Sequence, residues 1–199
     1  MAALNLDLWE YYQGKNREMN LRLRLTLAIS CFFINQFVCS ENSNNPVIYQ
    51  NFEVASFSEL TQQGWTFIIG SDAFAEFSIA NNGADNSKKC FAVDVLRLGQ
   101  QNVWDIQLLK ENISVSPGKL YQYSLWVKGN RGSNIGVAVE TSNYYSLANE
   151  TVVLTGEWQQ VAIEFVPEQP YVRLPIHFSF EENFGSVIYV DELKLERAG

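Results

Sequence analysis

Between Val103 and Glu196 the chain reads as strand after strand, and the run Tyr171 to Phe180 most narrows the folds that can hold it. In that run Val172, Leu174, Ile176, Phe178 and Phe180 share one face, because strand side chains alternate with period two. Tyr171, Arg173, Pro175, His177 and Ser179 share the other. The apolar face requires a core. The opposite face carries a tyrosine, an arginine and the only histidine of the chain. Those groups suit a polar, hydroxyl-rich ligand.

The same alternation recurs elsewhere. Strands are expected near 47–53, 65–69, 74–80, 90–96, 103–109, 119–128, 134–141, 151–154, 158–166, 171–180 and 186–196. Turn chemistry separates them: Asn81-Asn82-Gly83, Pro117-Gly118, Gly129-Asn130-Arg131-Gly132, Thr155-Gly156 and Asn183-Phe184-Gly185. No long stretch after residue 40 carries a helical period. Short strands joined by regular turns predict an all-β sandwich or barrel.

Alternation also assigns faces. Trp104, Ile106 and Leu108 are expected inside, with Asp105 and Gln107 opposite. Ile135, Val137 and Val139 point in, leaving Gly136, Ala138 and Glu140 opposite. If these strands share a sheet with 171–180, Gln107, Glu140 and His177 meet on one side.

The N-terminus reads differently. Residues 19–40 resemble a secretory signal, with Arg22 and Arg24 before the apolar stretch Leu25–Ile34 and small residues at Val38-Cys39-Ser40. That stretch is short for a bilayer span, so stable membrane insertion is not expected. Residues 1–18 carry Asp7, Glu10 and Glu18, which do not suit a signal, and are read as an extension or tail. Residues 41–46 form a polar entry segment, and 47–196 form the domain. The expected location is extracellular.

Charge excludes one class of partner. The chain carries 14 Lys and Arg against 22 Asp and Glu, a net charge of −8. Nucleic acid needs a basic patch to release counterions, so no nucleic-acid partner is expected. With Cys31 and Cys39 in the signal, Cys90 stands alone and forms no internal disulfide. It is read as a buried structural cysteine. Asn112-Ile113-Ser114 and Asn149-Glu150-Thr151 fit the N-glycosylation pattern, which matters only in a eukaryotic host.

Several ordered pieces point to one family. They are Asn51-Phe52-Glu53, Gly64-Trp65, Trp104-Asp105-Ile106-Gln107-Leu108, Pro117-Gly118-Lys119-Leu120-Tyr121, Leu125-Trp126-Val127-Lys128-Gly129, Gly156-Glu157-Trp158-Gln159 and Tyr189-Val190-Asp191-Glu192-Leu193. In this order the chain resembles the carbohydrate-binding modules grouped with families 4, 9, 16 and 22. The resemblance implies a β-sandwich jelly roll of two antiparallel sheets, galactose-binding-like in plan. It implies a cleft on the concave sheet for a β-linked polysaccharide, xylan or β-glucan. It also implies a structural calcium and attachment to a secreted glycoside hydrolase. A monomer is expected.

Recognition of a glycan needs aromatic platforms for its C–H faces and amide, carboxylate or imidazole groups for its hydroxyls. Gln107 and His177 match ligand-contacting positions of the modules it resembles. Glu140 and Asp105 face the same way by alternation. Tyr144 and Tyr145 sit in a turn where an aromatic could close over a sugar, Trp104 is a second platform candidate, and Arg173 and Tyr171 flank. Trp65, Trp126 and Trp158 match framework positions and are expected in the core. For calcium, Glu53 and Asp191 match positions that supply hard oxygen ligands in those modules.

Two other readings stand beside this one. A jelly-roll glycoside hydrolase needs two carboxylates across the scissile bond, and a Glu-x-Asp-x-x-Glu strand is missing here. A polysaccharide lyase would use Tyr171, Arg173 and His177 on one face. The third class is an extracellular adhesion or structural module, calcium-stabilised, on the same sandwich.

Overall fold

The computed structural model describes residues 46–70, 72–100 and 102–199. The expected signal over 19–40, the extension or tail expected over 1–18 and residues 41–45 of the expected polar entry segment lie outside the described residues.

Among the described residues, eleven strands build two antiparallel sheets. They are β1 (Ile48–Gln50), β2 (Trp65–Ile69), β3 (Phe74–Ala80), β4 (Cys90–Arg97), β5 (Ile106–Ser114), β6 (Tyr121–Gly129), β7 (Asn134–Thr141), β8 (Ser146–Val153), β9 (Gln159–Phe165), β10 (Tyr171–His177) and β11 (Ser186–Arg197). One sheet runs β3-β4-β11-β6-β9, with β1 also paired to β11. The other runs β2-β5-β10-β7-β8. This is a two-layer sandwich, one of the two all-β architectures that the alternation predicts and the one that the resemblance implies.

The inward faces meet in one core. Leu125 and Val127 of β6, Ile188 and Val190 of β11, and Leu174 and Ile176 of β10 are all fully or almost fully buried. Each such side chain contributes about 1.5–3 kcal/mol relative to leaving it in water. Aromatic rings fill one end. Phe91 lies between Phe67, Phe77 and Phe52, with centroids at 5.5, 5.8 and 5.7 Å. Trp65 joins this end, its indole N–H donating to Gln50 Oε1 at 3.2 Å.

Two bulges change the phase of the alternation. In β5 the inward residues are Ile106 and Leu108, then Ile113. The register against β10 slips between Val172 and Leu174, and Asn112 takes up the extra residue at φ 57°. In β11 the inward set shifts from Ile188 and Val190 to Leu193 and Leu195. There Glu192 sits at φ 47°, and the register against β6 slips between Asp191 and Lys194. That second bulge leaves Asp191 fully buried under the loop at Ala84.

Some boundaries differ from expectation. The edge strand expected at 151–154 begins at Ser146. A short helix, α1 (Phe57–Gln62), crosses the aromatic end. It is too short to show a period in sequence. It forms because Leu60 is fully buried, Phe57 packs edge-on to Phe67 at 5.0 Å, and Glu59 Oε2 accepts from the Ala55 N–H. Of the framework tryptophans only Trp65 is in the core. Trp126 alternates with buried Leu125 and Val127, so it stands half-buried on the outer face of its sheet. Trp158, also half-buried, lies against Tyr189 with centroids 6.4 Å apart.

Candidate functional site

The three middle strands of the second sheet are β5, β10 and β7, in that order. His177 pairs with Gln107 on one side and with Gly136 on the other. Arg173 pairs with Glu140 two rows away. The expected meeting of Gln107, Glu140 and His177 on one sheet face is therefore present. They border a cavity of about 340 Å³ together with Trp104, Tyr144 and Arg173.

Its walls come from backbone outside the strands. Trp104 was expected on the core face, but its ring is 53% exposed. The strand begins only at Ile106, and Val103–Asp105 form a 3-10 turn, so the two-residue period does not reach Trp104. The turn aims the indole at His177, edge-on at 6.5 Å. Gln107 Nε2 donates to the Trp104 carbonyl at 2.9 Å, so one amide both braces the turn and borders the cavity.

Asp105 takes a different place from the one expected. Its carboxylate turns away from the cavity lining and accepts from the Asn102 N–H at 3.2 Å, capping the turn. Gly70 and Gly99 lie so close to it that neither has room for a β-carbon. Asp105 thus shapes the loop that carries Trp104.

Opposite Trp104, the β7–β8 turn presents two tyrosines. Tyr144 adopts φ 65°, a left-handed conformation costly for a bulky residue. Its ring lies 4.3 Å from the Arg173 guanidinium carbon. Tyr145 is 72% exposed and falls outside the cavity lining. Tyr171 is likewise exposed and outside it. Arg173, expected as a flank, is buried in the floor. Its Nε is 3.4 Å from Glu140 Oε2 and its Nη1 is 3.6 Å from Glu111 Oε1.

Burial sets the charge states. Desolvation, aided by Arg173, pushes the His177 pKa down to about 4. The imidazole is neutral at pH 7, with one donor and one acceptor nitrogen. Burial raises the Glu140 pKa and Arg173 opposes that rise.

A second cavity of about 290 Å³ adjoins the first and shares Trp104, Glu140 and His177 with it. It adds Asn149 and Thr151 of β8, and Phe180. Asn149 and Thr151 carried only a glycosylation pattern in the sequence, and Phe180, expected on the core face, lies instead in the groove because the strand ends at His177 and period two does not reach it. The signal available was period two in 146–153, which is weak because β8 is an edge strand exposed along most of its length. Gly136, expected on this face by alternation, shapes the groove. A β-carbon there would come within 3.2 Å of His177 Cβ and of the Phe180 ring. Glycine keeps the groove floor low where the two cavities join.

A separate oxygen-rich cluster lies at the loop before β4. Glu53 Oε1 accepts from the Lys89 N–H at 2.9 Å and from the Ser87 hydroxyl at 3.0 Å. The Ser87 Oγ is also 3.2 Å from the Asn51 carbonyl oxygen and 2.9 Å from that of Lys89. A hydroxyl has one proton to give, yet several acceptors converge on it. Asp191 is fully buried, and its two oxygens accept from the Ala84 and Glu192 N–H groups, each at 2.8 Å. Burial raises its pKa to about 6. The Glu53 carboxylate and two carbonyls about one hydroxyl, with Asp191 buried under the loop at Ala84, are hard oxygen donors of the kind a calcium ion takes. No group of three or more His, Cys, Asp or Glu converges among the described residues, so carbonyls would have to complete it.

Cys90 is fully buried, its thiol pKa pushed up to about 12 mainly by desolvation. No helix among the described residues is long and apolar enough to cross a membrane.

Comparison with known proteins agrees with this geometry. No curated protein matches the chain. Among solved structures it is similar to BiXyn10A CBM1 in its apo form, at 13% identity and TM-score 0.58, covering 78% of this chain and 100% of that one. It is similar to the CBM22-1 xylan-binding domain of Paenibacillus barcinonensis Xyn10C, at 17% identity and TM-score 0.53, covering 77% and 94%. The CBM22-1–GH10 modules of Clostridium thermocellum xylanase 10B, complexed with xylohexaose, align at 18% identity and TM-score 0.53, covering 78% of this chain and 29% of that one. At these identities the likeness establishes the sandwich fold. The family model described as a carbohydrate binding domain, CBM_4_9, matches residues 48–180. That match spans strands of both sheets and both cavities, and by it the chain belongs to the CBM_4_9 family of carbohydrate-binding domains.

Proposed function

We propose that this carbohydrate-binding module is secreted, non-catalytic and monomeric, and grips a neutral β-linked polysaccharide, xylan or β-glucan, along the face of the β2-β5-β10-β7-β8 sheet. The observation that carries this reading is the row Gln107–His177–Gly136, flanked by the exposed Trp104 indole. A pyranose offers an apolar C–H face and a rim of hydroxyls. The indole suits the face, and the amide and neutral imidazole suit the rim.

Absence of catalysis is supported by the charge inventory. Hydrolysis of a glycosidic bond normally uses two carboxylates facing each other across it. The main cavity is lined by one carboxylate, Glu140, which lies beside Arg173; the adjoining cavity adds Glu150, exposed on the edge strand β8, so the main cavity itself holds no such pair. Two of the structural neighbours bear xylan in their names, and one of them is joined to a GH10 module. A glycoside hydrolase is accordingly the proposed partner domain.

We assign a structural calcium to Glu53, Asp191 and the carbonyls of Asn51 and Lys89. Bound there, the ion would neutralise a buried carboxylate and tie the first strand region to the last. Sugar contact does not run through it.

Affinity electrophoresis in gels containing soluble xylan or mixed-linkage β-glucan tests the function, paired with a reducing-end assay. Retardation without released reducing ends is the expected result. Free migration in every glycan tested overturns the reading, and release of sugar ends overturns its non-catalytic part.

A further inference from the structure

The floor of the main cavity holds a buried cation with an incomplete set of partners. Arg173 is 5% exposed, and its Nε has no hydrogen-bond partner. Glu140 Oε2 is near it, at 3.4 Å, but outside hydrogen-bonding geometry. Buried donors are almost always paired, so an orphan one bordering a ligand cavity calls for an explanation.

The surroundings limit what can complete it. The Tyr144 ring lies against the guanidinium, and Glu111 approaches Nη1 at 3.6 Å. Two carboxylates thus flank one cation, and the cluster is net negative. A sugar carboxylate would have to settle beside Glu140, and like charges at that range repel. A neutral sugar meets no such barrier. The Nε atom is itself closed to solvent, so the Tyr144 ring has to give way before one hydroxyl accepts from the guanidinium while its ring neighbour donates to Glu140, since a hydroxyl does both.

Resting on the carbohydrate-binding reading above, we propose that Glu140 and Arg173 act as a clamp for adjacent free hydroxyls of one neutral sugar, and that the clamp rejects uronic-acid chains. Arg173 is the donor, Glu140 the acceptor, and Glu111 the second carboxylate that denies the guanidinium to an anion. Tyr144 closes the side of the clamp, which explains why a tyrosine is held in a left-handed turn position. The arginine here is therefore not an anion receptor, although buried arginines often are.

Calorimetric titration with cellohexaose, xylohexaose and the β-1,4-linked hexaglucuronate decides it. The hexaglucuronate repeats the cellohexaose backbone with a carboxylate at each C6. The wild-type chain is expected to bind a neutral hexaose at least tenfold more tightly than the hexaglucuronate. Glu140→Gln is expected to weaken the neutral hexaose at least tenfold, while hexaglucuronate affinity holds or rises. A wild type that takes both classes equally overturns the clamp. So does a Glu140→Gln variant that loses both classes in parallel, the mark of a structural role, or that loses neither. If Glu140→Gln does not fold, Glu111→Gln decides by the same ratio, and an unchanged preference for neutral sugar overturns the proposal. If the wild type binds none of the three, the carbohydrate reading fails and the clamp with it. That pattern differs from binding with unaltered selectivity, which sinks the clamp alone.

Discussion

His177 and Gln107 are direct cross-strand partners, the last residue of β10 against the second of β5. Partners of that kind have their β-carbons about 4.5–5.5 Å apart, so imidazole and amide can address one sugar ring together. Gly136, on the other side of His177, leaves room for the imidazole and for the Phe180 ring. Gly136→Val should fill the groove at that junction. Loss of glycan retention by at least tenfold, with an unchanged far-ultraviolet spectrum, is the expected outcome in affinity gels.

Two tryptophans separate binding from folding. Trp104 is half exposed, so Trp104→Ala should cost little stability while weakening glycan binding about tenfold, or about 1.4 kcal/mol. Trp65 is 2% exposed and bonded to Gln50. Trp65→Ala should destabilise the fold by about 3–5 kcal/mol. Denaturant titration of both variants alongside gel retardation checks the contrast, and equal stability losses would remove it.

The imidazole sets an acid limit. The folded pKa of His177 lies near 4, below its ordinary 6.5. The unfolded chain therefore binds the extra proton between those values, and stability falls as pH drops from 6.5 to 4, by on the order of 3 kcal/mol. Below pH 4 both states are protonated and the loss is complete. The stability difference between wild type and His177→Gln should shift across that window. Glycan affinity should fall in acid, as His177 takes its proton near pH 4 and as Glu140, its pKa raised by burial, loses its charge.

Calcium removal should act through Asp191. Its folded pKa, about 6, exceeds the usual 3.8 because the carboxylate is buried. Without an ion the native state holds the extra proton, so stability is present below pH 3.8 and is lost as pH rises through 6. A bound cation reverses that penalty at neutral pH. At a free concentration ten times the dissociation constant it adds about 1.4 kcal/mol. Chelation at pH 7.5 should lower the thermal midpoint by about 3–6 °C. Asp191→Asn should abolish the response to chelator, and a midpoint indifferent to chelator in the wild type removes the assignment.

Cys90 should be inert. Its thiol is fully buried and its pKa is near 12, so thiolate is scarce at neutral pH. A thiol reagent should label it only after denaturation. Rapid labelling of the native chain would contradict the burial.

Period two was enough to put Gln107, Glu140 and His177 on outward faces, because it depends only on local backbone geometry. The same rule failed at Trp104, where the strand had not yet begun, and it could not foresee that Asp105 would turn back to cap a loop. Nor could it show that β10 lies between β5 and β7, which is a matter of long-range register. The burial of Arg173 and the lining role of Asn149 and Thr151 follow from that neighbour order. The sequence by itself determined the all-β class and which side chains leave the core, since turn chemistry and alternation are written residue by residue. Only the tertiary structure decided which of them share a groove, because strands distant in the chain become neighbours through packing of the whole core.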